Sequence, residues 1–239
     1  MAARRYQQLA FDDLLTRGVR PEISYDLAWL SLFNEMACQR QDHDWYPLMS
    51  MFRSGAEDDA GAFWVALRDS DDAVCGVLAV RLRHLAGTLR QALEDGSYLT
   101  GAAGGGARCV GETTQDGMPL LNEDLDAVTG DIIIAGAGWA RKSHRNLGLT
   151  RPTYCAAVAH ALQLWPTVRH STMLVQERFL TPFGMRQIGN TKAVGILRFH
   201  DPDGPAERAK VPHALLLESR QAILNEIDRQ IGVHAPDAA

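Results

Sequence analysis

Apolar positions along the chain recur at two spacings, and the switches between them divide it into elements. From Asp26 to Gln41 the residues Leu27, Leu30, Phe33, Met36 and Ala37 lie three and four apart, on one face of a helix that Ser24 or Asp26 can cap. Before it, Tyr6, Leu9, Leu14 and Leu15 stand among polar residues over 4–17, a helix or an arm that Gly18 and Pro21 punctuate. Leu48 to Phe52 reads as a short second helix and Arg53 to Gly61 as an acidic loop. The runs Phe63–Leu67 and Val74–Leu82 flank the polar turn Arg68–Asp72, which predicts an antiparallel hairpin. Leu85, Leu89 and Leu93 predict a helix that ends before Gly96.

The second half is more sharply patterned. Ile132, Ile133 and Ile134 form a β-branched run suited to a strand covered on both faces. Gly136 and Gly138 follow where a strand interior normally avoids glycine, which marks a bulge or a close approach to the backbone. A turn from Arg141 to Gly148 leads to a helix starting near Leu149. Its stripe is Tyr154, Val158, Ala161, Leu162 and Trp165, Pro152 falls within its first turn, and Trp165-Pro166 ends it. Strands are predicted over 170–175, 194–199 and 214–217. A last helix over 220–231 carries Ile223, Leu224, Ile227 and Ile231, with Ser219 as cap and Gly232 as stop.

Between Arg83 and Gly130 this order lapses. Gly101 to Ala107 is a run of small residues, read as a flexible linker, and Glu112 to Gly130 is an acidic, turn-rich loop. The whole is read as one domain over 1–239 with an insertion at about 83–130.

Composition narrows the function. With 239 residues the chain can bury a full core, and its 46% hydrophobic and 22% charged residues are ordinary for a globular protein. A net charge of −5 argues against general nucleic-acid binding. No apolar run approaches the roughly 20 residues that span a bilayer, and the N-terminus lacks the apolar core of a secretory signal. Cys38, Cys75, Cys109 and Cys155 are widely spaced, with no metal-ligand pattern, and are expected as reduced thiols in a cytoplasmic protein without a metal.

Candidate chemistry concentrates between Asp131 and Trp165. A turn carrying Arg141, Lys142 and Arg145, followed by a helix N-terminus, is either a plain crossover with basic residues in water or an anion site. The first helical N–H groups lack internal partners and the macrodipole adds positive charge there, as a pyrophosphate requires.

Arg145-Asn146-Leu147-Gly148-Leu149-Thr150 resembles the Arg/Gln-x-x-Gly-x-Gly/Ala signature of the GCN5-related N-acetyltransferase superfamily, with Thr150 in place of the final small residue. Val74-Cys75-Gly76 is similar to the step that opens the family's third strand, and Gly184-Met185 to its late Gly-Phe turn. The resemblance covers Val74–Leu82 and Asp131–Gly189. It implies an α/β (α+β) acyl-CoA acyltransferase fold. A mixed, mostly antiparallel central sheet would carry helices on both faces, and the family's fourth and fifth strands would form a splayed parallel pair. The helix after the first strand would wall the acceptor cleft.

The resemblance further implies that acetyl-CoA is the co-substrate and that an acetyl group passes to a primary amine of a small molecule or peptide. Gly138, Trp139 and Ala140 would present the backbone N–H that meets the developing oxyanion. Arg145, Asn146, Leu147, Gly148, Leu149 and Thr150 would hold the pyrophosphate. The family's general-acid tyrosine falls at Leu180, which cannot donate a proton. Glu177 and Tyr154 are the catalytic candidates in its place, with His43 and Asp44 beside the acceptor wall. Cys155 reads as a small buried apolar residue. Two alternatives stand beside this reading. One is a longer-chain acyltransferase like the acyl-homoserine-lactone synthases, and the other is a non-catalytic CoA-binding module. A homodimer is left open, since the last helix can pack on its own sheet or on a second copy.

Overall fold

The computed structural model describes residues 1–39, 52, 61–100, 108–111, 124–176, 192–200 and 213–233. Its eight described strands are β1 (Arg20–Ser24), β2 (Ala62–Arg68), β3 (Val74–Thr88), β4 (Arg108–Gly111), β5 (Thr129–Ala140), β6 (His170–Gln176), β7 (Lys192–His200) and β8 (His213–Ser219). They form one sheet in the order β1-β2-β3-β5-β6-β8-β7-β4. Every neighbouring pair is antiparallel except β5 and β6, which run parallel. The expected mixed sheet is therefore present. The parallel pair expected from the resemblance is β5 and β6 here, since the short strand β4 precedes them in the chain.

Alternation along β5 decides which helices lie where. Ile133 and Ala135 point to one face, packed with α1 (Ala2–Thr16), α6 (Thr150–Leu164) and α7 (Arg220–Val233) through Leu14, Val158, Ala161, Ile223 and Ile227. Ile132 and Ile134 point to the other. That face is covered by α2 (Leu27–Gln39), α3 (Leu89–Glu94), α4 (Ser97–Thr100) and the short α5 (Asp124–Ala127) through Leu30, Leu89, Leu93, Tyr98 and Leu125. The isoleucine run is fully buried because both faces are covered. The apolar stripe of α7 lies on its own sheet, with Ile223 and Ile227 buried.

Caps fall where the sequence placed them. The Asp26 carboxylate accepts the Trp29 N–H at 2.9 Å, and the Ser219 hydroxyl accepts the Ala222 N–H at 3.2 Å. The 4–17 segment is α1, and Pro21 lies in β1 at the sheet edge, where a missing N–H leaves no ladder bond unmade.

Two expectations about the insertion need correction. Leu85 is not helical: β3 runs on to Thr88, and α3 starts only there. Thr88 accepts the Gln91 N–H while the Gln91 side chain accepts the Thr88 N–H, a reciprocal cap. The second correction is that the stretch read as a loop from Glu112 to Gly130 contains the helix Asp124–Ala127 and the start of β5, and that a strand precedes it. Arg108–Gly111 pairs with β7 from Arg108↔His200 to Gly111↔Leu197, at the far edge of the sheet. The chain thus leaves β3, places Tyr98 of α4 against Thr172 of β6 (hydroxyl to hydroxyl, 2.8 Å), reaches the far edge, and returns through α5 to β5.

Candidate active site

The site begins where two paired strands stop pairing. β5 and β6 are in register from Ile132↔His170 to Ala135↔Met173. Beyond that point β5 stays with β3 as far as Gly76↔Ala140, whereas β6 stays with β8 as far as Gln176↔His213. The strands diverge into a V whose walls are the backbone of Ala137–Ala140 and of Leu174–Gln176.

A bulge shapes the β5 wall. Val77 pairs with Trp139 and Ala79 with Gly136, so Ala137 and Gly138 together oppose Leu78. The sequence placed the irregularity at the glycines, but the strained residue between them is Ala137, with φ of 52°. Gly138 has no such requirement. A β-carbon there would meet Leu78 Cδ1 at 3.5 Å, an ordinary contact. The extra residue also reverses the alternation. Without it Trp139 would share the α6 face with Ile133 and Ala135; with it, the indole joins Ile132 and Ile134 on the α2 face.

Above the V, Arg141 anchors the end of β5. Its N–H reaches the Cys75 carbonyl at 2.7 Å, and its guanidinium binds Asp69 at 2.7 Å and the Val74 carbonyl at 2.9 Å. It is a clamp on the β2–β3 turn, where the sequence counted it among the anion-turn cations. Since successive peptides point to opposite sides, the polar groups of Ala140 turn away from β3 and toward the V. Arg145 confirms that direction, its Nε donating to the Ala140 carbonyl at 3.0 Å.

Lys142–Leu147 forms a 3₁₀ turn that closes on Gly148, left-handed at φ of 66°. Leu149 is buried as a plug, and Thr153 donates both its N–H and its hydroxyl to the Leu149 carbonyl, at 3.1 and 2.7 Å. The amides of Thr150 and Arg151 precede that first helical bond. Arg145, Asn146, Leu147 and Thr150 are exposed around them, so the segment that resembles the pyrophosphate signature is assembled at the N-terminus of a fifteen-residue helix. Arg17, which caps the C-terminus of α1, braces it by donating to the Leu147 carbonyl at 2.7 Å.

The α2 face of the V is aromatic. Trp29 stacks on Trp64 and on Phe33, each with centroids 5.2 Å apart, and Phe33 meets Trp139 edge-on at 5.6 Å. The Trp64 indole N–H is fixed on the Asp26 carbonyl at 3.0 Å. Spacing on α2 made Phe33 a core residue and gave no sign of Trp29. The stack forms only when β2 and the reversed β5 face the helix.

Of the catalytic candidates, Glu177 lies outside the described residues, as do His43, Asp44 and Leu180. Tyr154 is buried under α6. Its hydroxyl sits 3.0 Å from the Ser171 hydroxyl and donates to Glu218 at 3.4 Å. Burial is the main cause that pushes its phenol well above the usual range, with the Glu218 charge adding to it. Ser171 pairs with Ile133, in the closed part of the strand pair, and Tyr154 lies on the face opposite Trp139. The structure therefore does not bring Tyr154 to the aromatic side of the V. Cys155 packs in the core beside Tyr6, whose hydroxyl donates to its sulfur at 2.9 Å, and burial raises its thiol pKa. Among the described residues no cluster of His, Cys, Asp or Glu could hold a metal ion, and no helix is long and apolar enough to cross a membrane.

No family model matches the chain, and no curated protein matches it. Solved structures do. Aminoglycoside acetyltransferase AAC(6')-Ib in complex with coenzyme A and kanamycin is 13% identical over 87% of this chain and 98% of its own, with a TM-score of 0.47. The spermidine/spermine N-acetyltransferase SpeG from Vibrio cholerae is 7% identical over 87% and 98%, at 0.49. NAA60 from Arabidopsis thaliana in complex with acetyl-CoA is 11% identical over 85% and 98%, also at 0.49. By its own topology, with a bulged β5 diverging from a parallel β6 and helices on both faces, the chain has the fold that its resemblance to the GCN5-related N-acetyltransferase superfamily implies.

Proposed function

We propose that this protein is an acetyl-CoA-dependent N-acetyltransferase acting on a primary amine of a small molecule or peptide. The observation that carries the proposal is the end of strand pairing at Ala135 and Met173, with the bulge at Ala137–Gly138 immediately beyond it. Unpaired strand backbone is costly to bury and is suited to an extended, amide-bearing arm such as pantetheine. The N-terminus of α6 stands at the end of the same strand, across Gly148, where a pyrophosphate would be met by helix amides. The two features fit the two ends of one CoA molecule.

In this reading the thioester carbonyl lies against the backbone of Gly138–Ala140, and an N–H there stabilises the charge that develops on its oxygen. The amine nitrogen bonds to the acyl carbon, the carbon–sulfur bond breaks, and the thiolate takes up a proton as the amine loses one. Glu177, which follows β6 directly in the chain, is the proposed proton acceptor. Tyr154 acts at a distance, tying α6 to β6 and β8 through Ser171 and Glu218. Its test is Tyr154→Phe, which should lower stability and leave the pH profile of turnover in place, whereas Glu177→Gln should remove the limb of that profile that reports the base.

Isothermal titration of acetyl-CoA, followed by thiol release over a panel of primary amines, tests the whole. Binding with thiol release is expected. Binding without release from any amine would favour the CoA-binding module, and no binding at millimolar concentration would end the proposal.

A further inference from the structure

Trp139 stands on the strand wall that would receive a thioester, and its side chain lies on the α2 face of the sheet. The pyrophosphate site at the N-terminus of α6 belongs to the α6 side of the sheet, so an arm entering from there would present its far end to the α2 face. That face holds Trp139, Phe33, Ala137 and Leu174, all packed in one apolar cluster. Trp139 is only 9% exposed, and Phe33 holds it edge-on. Behind Phe33 the stack continues through Trp29 to Trp64, which is anchored on the Asp26 carbonyl, so Phe33 is backed by a second ring. The reversal of alternation at the bulge is what brings a residue of this size here.

We propose that Trp139, braced by Phe33, closes the acyl end of the V and confines the protein to short acyl groups, acetyl or propionyl, and that the described alternative of a long-chain donor is excluded by this side chain. The proposal rests on the CoA reading above. Each methylene beyond the space available must displace a packed ring or stay in water, and discrimination between neighbouring chain lengths of about tenfold or more is expected.

The test compares CoA, acetyl-CoA, butyryl-CoA, hexanoyl-CoA and octanoyl-CoA by calorimetry and by thiol release, in the native protein and in Trp139→Ala and Phe33→Ala. In the native protein affinity and turnover should fall at least about tenfold from acetyl to hexanoyl. In Trp139→Ala the hexanoyl-to-acetyl ratio should rise by about tenfold or more. Phe33→Ala removes only the brace and should shift the ratio in the same direction by less. The native chain-length profile needs no variant, so a misfolded Trp139→Ala leaves the proposal open to refutation. Octanoyl-CoA used as well as acetyl-CoA by the native protein overturns the inference while the CoA reading stands. A folded Trp139→Ala with the native ratio also overturns it. Failure of CoA itself to bind overturns both.

Discussion

The guanidinium of Arg145 donates to the carbonyl of Ala140 at 3.0 Å, which ties the anion turn to the last residue of the V. The two ends of the proposed CoA site are thereby fixed to each other by one side chain. Arg145 is exposed, so its side chain contributes little to the core. Arg145→Ala should weaken acetyl-CoA binding by about five- to tenfold, the worth of one charge-assisted hydrogen bond, with little change in Tm. Arg145→Lys, which loses the planar fork, should recover only part of it. Calorimetry on the three proteins decides this, and equal affinities would remove Arg145 from the site.

Gly148 is required by its backbone. At φ of 66° any side chain strains the turn, and an alanine should cost about 1 kcal/mol of stability. Asparagine enters this conformation more readily, so denaturant melts should rank Gly148 above Asn, Asn above Ala, and Ala above Val. A valine variant as stable as the native protein would contradict the geometry.

Ala137 presents the converse case. It holds a left-handed conformation, φ of 52°, without being glycine. Ala137→Gly should relieve the strain and stabilise the protein by up to about 1 kcal/mol after the larger entropy of an unfolded glycine is offset. Ala137→Val should destabilise it by more than that. Urea melts of the two variants shifted in the same direction would show that the bulge is not strained.

Gly138 separates folding from binding. The protein has space for a β-carbon there, with Leu78 Cδ1 at 3.5 Å, so Gly138→Ala should melt within a few degrees of the native protein. If the proposed thioester lies against this backbone, the added methyl would crowd it, and acetyl-CoA affinity should drop by tenfold or so. Unchanged affinity would mean that nothing approaches this backbone closely.

Glu218 gives a pH dependence unrelated to turnover. The carboxyl is 7% exposed, and burial is the main cause that raises its pKa above the usual carboxylate range, against the hydrogen bond from Tyr154. The unfolded chain ionises at the ordinary value while the folded one holds its proton to higher pH. The group therefore favours folding most in acid, and that contribution is lost as pH rises through the folded pKa. Glu218→Gln keeps an acceptor for Tyr154 and should be more stable than the native protein at pH 7.5, an advantage that disappears in acid, where the native carboxyl is protonated in both states. The same difference at both pH values would count against a raised pKa.

What was legible in the sequence was local. The β2–β3 hairpin, the elements of the β5–α6–β6 crossover and the caps at Asp26 and Ser219 are each marked by short runs of neighbouring residues, and each was found. Pairings that span the chain were not. Leu85 and Leu89 are four apart, as in a helix, yet a strand boundary at Thr88 falls between them. Arg108–Gly111 is too short for any period to show, and its partner strand lies about ninety residues away. Arg141 looked like one more cation in a basic turn because its true partner, Asp69, is 72 residues distant. At the site, the glycines announced a bulge. That the bulge turns Trp139 to the other face could be known only from the register with β3.

The short strand at Arg108–Gly111 has a consequence for how the molecule meets other chains. It and β1 are the two outer strands of the described sheet. One is four residues long, and the other is interrupted by Pro21. Neither offers a neighbour a long ladder to extend, so end-to-end polymerisation of sheets is disfavoured at both borders. Among the described strands, the place that invites an added extended segment is internal, between β5 and β6. The proposed cofactor arm would lie in that internal gap, away from both borders of the sheet.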